Sequence, residues 1–193
     1  MSQPEFAALA ATWHDFYLTV GAATASLIGL LFVGISINLD EFTTDDGTGI
    51  RVLAEQAFGN FVLVLVIALL VLIPDQEPGT LTLQLAIVGG LGTFRIVRRA
   101  MVFGRRPTDP FGGWRYGVRR LGLPAAASVG VIGVAVLVQS NPITAFYWLV
   151  VAVFVYLFSA ADSAWDLLIE VGRERRRRVS SAQGGEPVDP KES

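Results

Sequence analysis

The side chains able to do chemistry cluster near one end of several apolar runs. Glu55, Gln56 and Asn60 open the second run, Arg95 closes the third, and Asp162 and Asp166 close the fifth; Asn38 ends the first. Gln56 and Asn60 are four apart and so share a helix face. An ionisable group inside a bilayer costs ~2.5–3.5 kcal/mol on insertion scales unless it is paired or wetted. Arg95 is therefore expected to pair with Glu55 or Asp162. Two readings of this polar layer stay open. It is an ion pair that fixes helix register, or a vestibule for an ion, a proton or an anionic headgroup.

Other polar groups point to less. His14 and Asp15 read as two polar groups at headgroup level rather than as a catalytic pair. Asp162, Asp166 and Glu170 recur every four residues on one stripe of a helix. Arginines at 173 and 175–178 follow at once, so intrahelical ion pairs explain that stripe more simply than a divalent cation does. The chain has no cysteine and one histidine, His14, so no thiolate chemistry and no metal site are expected. No G-x-x-x-x-G-K-[ST], G-x-S-x-G or H-E-x-x-H occurs. No catalytic residue and no cofactor is assigned, and the chain is not read as an enzyme. Gly89-Gly90-Leu91-Gly92 lies within an apolar run and not after a strand, so it reads as helix packing.

The elements that must position these groups are five long apolar segments. The chain has 193 residues, 52% of them hydrophobic, with a mean hydropathy of +0.53. The first run, Phe16 to Leu39, holds 24 residues without a formal charge. As a helix it is ~36 Å long, enough to cross a ~30 Å hydrocarbon core with some tilt. The expected spans are 16–39, 50–73, 80–101, 119–139 and 143–168. They predict an all-α fold, a bundle of five transmembrane helices over residues 1–179, with a disordered cytoplasmic tail at 180–193. Residues 2–15 form a short amphipathic lead-in without a basic region, so the first helix is expected to be retained. Trp13, Phe16 and Tyr17 look like an interfacial aromatic belt.

Small residues recur at close-packing intervals. Gly21, Ala25 and Gly29 form one stripe, Ala22 and Ser26 the next, and Gly130 and Gly133 suit the same role in the fourth span.

Charge sets the orientation. With the N-terminus outside, all 15 Lys and Arg fall on the inner side: Arg51, the third loop with its flanks, and the C-terminus. The positive-inside rule then predicts N-out and C-in. The chain holds 14 Arg and one Lys, Lys191, which hints at GC-rich coding and a bacterial cytoplasmic (inner) membrane. Arg98, Arg99, Arg105, Arg106, Arg119, Arg120, Arg175 and Arg176 either only set this topology or also contact anionic lipid headgroups, at about 1 kcal/mol per charge. Nucleic acid is not an expected partner, because the basic runs adjoin a membrane and form no recognisable module.

The stretch Trp13 to Leu39 has an aromatic pair (Phe16-Tyr17), a small-residue cluster (Gly21 to Ser26) and a Gly29-Leu30-Leu31-Phe32-Val33 core. It resembles the opening helix of a family of small bacterial multi-pass membrane proteins. Similar sequences are sometimes tagged as modulators of a membrane-bound AAA protease; the resemblance assigns no catalytic residue.

The resulting expectation is a non-enzymatic inner-membrane protein that acts through helix packing, as a regulator or assembly partner, in a homo-oligomer or with another membrane protein. The alternative is an oligomeric channel or transporter for a small solute or ion, with the polar layer near its pathway. A topology reporter fused after Asn141 should read as external; a cytosolic signal there would reverse the charge-based map.

Overall fold

The computed structural model describes residues 2–39, 48–103 and 114–183, and every regular element among them is helical. The helices are α1 (Gln3–Thr12), α2 (His14–Ile37), α3 (Thr48–Val71), α4 (Pro78–Phe103), α5 (Trp114–Ser140) and α6 (Pro142–Gln183). All but α1 are long and apolar enough to cross a membrane.

Long apolar helices suit this sequence because each satisfies its own backbone, and the hydroxyls inside them do the same. Thr24, Ser26, Thr82, Thr93 and Ser163 each donate to the carbonyl four residues back, at 2.7–3.0 Å. The connections carry turn chemistry. Asp75 sits at φ 52° after Pro74, and Asn141 caps α6 by accepting the Thr144 N–H at 3.2 Å.

Several boundaries differ from the sequence reading. The third helix ends at Val71, three residues before Pro74, because the residue before a proline avoids helical ψ and the last turn already unwinds. The fifth starts at Trp114 rather than 119, and the sixth runs unbroken to Gln183, past the expected start of the tail at 180. The arginines at 173 and 175–178, Ala182 and Gln183 are good helix formers and sustain it. Residues 184–193 lie outside the described residues.

The packing order is α2 on α3, α3 on α6, α6 on α5 and α5 on α4, with α3 and α4 touching only lightly. Helices α3 to α6 thus surround a core containing Val64, Ile67, Leu85, Val131, Leu149 and Tyr156, and α2 lies against its edge, contributing Tyr17. The lead-in helix α1 is more than a surface strap. Its first turn is closed by the Ser2 N–H, which donates to the Glu5 carboxylate at 2.7 Å and holds that carboxyl below its usual range. Phe6 then buries completely against Phe146, and Trp13 stacks on the same ring at 5.9 Å. The expected aromatic belt is split: Tyr17 is fully buried in the core, and its hydroxyl has no partner among the described residues.

Small residues act where the chain backbones meet most closely. A Cβ on Gly89 would lie 2.6 Å from Ile132 Cγ1 and 3.1 Å from the Ser128 carbonyl, so α4 and α5 approach through a missing side chain. Gly21 and Gly130 face Ala68 and Ala152 at 3.5 and 3.8 Å, while Cβ atoms on Gly29 and Gly133 would meet nothing within 4 Å. The cause is rotation. Each four-residue step turns about 40° around a helix of 3.6 residues per turn, so the stripe from Gly21 leaves the bundle by Gly29.

Gly89→Leu should destabilise the protein by about 1–3 kcal/mol, because backbone atoms must move to admit the side chain. Gly133→Leu should be close to neutral. Thermal unfolding in detergent separates the two, and equal Tm values would contradict the α4–α5 contact. Tyr17→Phe should cost nothing, since it removes a buried hydroxyl that no protein group satisfies.

Candidate functional site

The polar side chains converge at the light seam between α3 and α4. Gln56, Asn60, Gly92, Arg95, Arg99, Pro124, Ser128 and Tyr156 line a small cavity, with room for about one water molecule. From α3, Gln56 and Asn60 are buried, and the Asn60 amide donates to the Ser159 hydroxyl of α6 at 3.1 Å. From α5, buried Ser128 donates to the Pro124 carbonyl at 2.8 Å. A serine has one hydrogen to give, so the 2.7 Å contact between Ser128 Oγ and Tyr156 Oη is donated by the tyrosine.

Arg95 enters this cluster across the light α3–α4 seam. Its Nη2 donates to the main-chain carbonyl of Glu55 at 3.3 Å. The Glu55 carboxylate instead lies 3.9 Å from Arg99, one turn further along α4. Arg95 was expected to pair with the carboxylate of Glu55 or Asp162; it reaches the right residue through a different atom. The carboxylate side chain is 72% exposed, so its ion pair with Arg99 adds about 0–1 kcal/mol.

Room for Arg95 is made by an absent side chain. A Cβ on Gly59 would fall on the Arg95 guanidinium. Gly92, three residues before Arg95 on the same face, plays a matching part: a Cβ there would lie 2.6 Å from Ser128 Oγ and 2.8 Å from Tyr156 Oη. Two glycines on facing helices thus admit a guanidinium and a hydroxyl pair.

Asp162 and Asp166 are half-buried on α6 and do not line the cavity. They continue into Glu170, whose carboxylate accepts from Arg173 Nη1 at 3.5 Å, an intrahelical pair of the expected kind. Arg98 is exposed, as are Arg175 and Arg176. Arg105 and Arg106 lie outside the described residues, as do the side chains of Arg119 and Arg120.

Gly59, Ser128, Tyr156 and Ser159 belong to the cluster and escaped the sequence reading. Serines and tyrosines are ordinary in apolar helices, so composition could not single them out. A usable signal existed for the glycines: Gly59 adjoins Asn60, and Gly92 sits one turn from Arg95.

The close approach predicts a non-additive pair. Gly92→Ala should cost about 1–3 kcal/mol in the wild-type background. In Ser128→Ala that cost should fall, because the atom nearest the new methyl is gone. Chemical denaturation of the four proteins measures the coupling; strict additivity would show that Gly92 and Ser128 do not meet.

No protein-family model, curated protein or solved structure matches this chain.

Proposed function

We propose that the chain is a non-enzymatic, multi-pass protein of a bacterial inner membrane, N-terminus outside and C-terminus cytoplasmic, that works by packing against another membrane protein as a regulator or assembly partner. The observation that carries this reading is the outward face of α2. Only 17% of its span is buried, against 28–61% in the other four. On that open face lie Ala22, Ala25, Ser26 and Gly29, all exposed. Small residues let two backbones approach closely where lipid supplies no hydrophobic drive. The tag that similar first-helix sequences carry, modulator of a membrane-bound AAA protease, is compatible with this role.

The polar cluster favours a second reading, an oligomeric channel or transporter. Against a path through one chain stands the size of the cavity, about one water. A conducting pathway would have to form between copies.

Photo-cross-linking residues at Ala22, Ser26 and Gly29 should capture one membrane protein in intact cells, and the same residue at Leu83, exposed on α4, should not. Gly29→Trp should abolish the capture while leaving Tm unchanged. Cross-links only between copies of the chain, together with ion flux in vesicles, would replace the first reading by the second.

A further inference from the structure

A second cavity lies away from the polar cluster, in the cleft between α2 and α6. It measures about 510 Å³, and every residue lining it is apolar. Leu30 and Gly34 form one wall, Ala164, Trp165 and Leu168 the other, and Phe61 of α3 the floor. Leu30, Trp165 and Leu168 are each 65–67% exposed, so the cleft opens sideways and not into the core.

The α6 wall changes character along its length. Ala161, Ala164, Trp165 and Leu168 share one stripe, and the helical repeat carries that stripe on through Gly172 to Arg175 and Arg176. Nothing stands within 4 Å of a Cβ on Gly172, and both arginines are exposed. Arg175 is seven residues beyond Leu168, ~10 Å along the axis. The carboxylates of Asp162, Asp166 and Glu170 fall on the other side of the helix. The cleft is thus an apolar slot that ends, after a gap, in two guanidinium groups.

We propose that this cleft holds one acyl chain of an anionic phospholipid, whose phosphate is bound by Arg175 and Arg176. The inference rests on the membrane reading but not on the partner assigned to α2, whose small-residue face lies across that helix from Leu31 and Ile35. Three features choose the lipid. First, the apolar length and the cationic end match a chain followed by a charged headgroup, and basic residues at a membrane surface attract such lipids. Second, the remaining segments of the chain are unsuited to fill it: residues 40–47, 104–113 and 184–193 each hold several charges and a single large apolar residue, Phe42, Phe111 and Val188 respectively. Third, a second copy inserted with the same orientation about a two-fold axis would bring its own Arg175 and Arg176 against these.

The test is native mass spectrometry of full-length protein taken from nanodiscs of mixed phosphatidylglycerol and phosphatidylcholine. Wild type should retain phosphatidylglycerol in preference to phosphatidylcholine. The double variant R175Q/R176Q should lose about thirtyfold of that preference, since two charges at about 1 kcal/mol each act on a scale of tenfold per 1.4 kcal/mol. Gly34→Trp should fill the slot and lose both lipids. It should fold normally, because a Cβ on Gly34 meets nothing within 4 Å. Leu83→Trp, on a distant exposed face, should bind as wild type does. Equal retention of the two lipids by wild type, or unchanged retention in Gly34→Trp, overturns the proposal. A second chain copy that Gly34→Trp displaces would also overturn it, and would assign the cleft to contact between copies.

Discussion

A guanidinium set among apolar helices is the constraint that shapes this bundle. Arg95 is half-buried where α3 and α4 meet, and a charge there must find polar company or water. It cannot do so by reaching far, because the neighbouring helices are greasy. The solution is local. Gly59 removes a side chain, the Glu55 carbonyl accepts one hydrogen bond, and amide and hydroxyl groups from α3, α5 and α6 gather at the same depth. The light contact between α3 and α4 follows, since the space that a tighter seam would close is occupied by the arginine.

The same device explains how the other helices hold together. In a bilayer, lipid tails are as apolar as leucine, so burial alone would give little drive for association. Close approach and interhelical hydrogen bonds take its place. Gly89 and Gly92 bring α4 onto α5, Tyr156 links α6 to Ser128, and Asn60 links α3 to Ser159. Helix α2 shares little of this. It buries only Tyr17, Gly21 and Thr24 fully, packs Val20, Ile28, Leu31 and Ile35 partly against the bundle, and leaves its small-residue face open.

The helical architecture was legible because long uncharged runs have one reading, and their ends are marked by Pro, Gly and Asn. Arg95 and Asn60 were legible for a related reason: a charge or amide in an apolar run must be provided for. The geometry around them was not. Whether Arg95 meets a carboxylate or a carbonyl depends on where Gly59 lies across the seam, and sequence spacing within one helix carries no information on that. The small-residue stripes misled in the same way. Gly29 and Gly89 look alike in sequence, yet one faces outward and the other meets Ile132, because helix rotation is set by neighbours. The end of α6 was missed because polar residues suggested a tail, although arginine, alanine and glutamine favour helix.

That last helix has a geometric consequence. At 42 residues it is ~63 Å long, about twice the ~30 Å hydrocarbon thickness. It runs from the aromatic contacts of Phe146 and Tyr147 past the arginine run, with Gly172 as its only interior glycine and no interior proline. The half that carries the arginines therefore extends well beyond the Tyr156–Ser128 hydroxyl pair that ties this helix to α5.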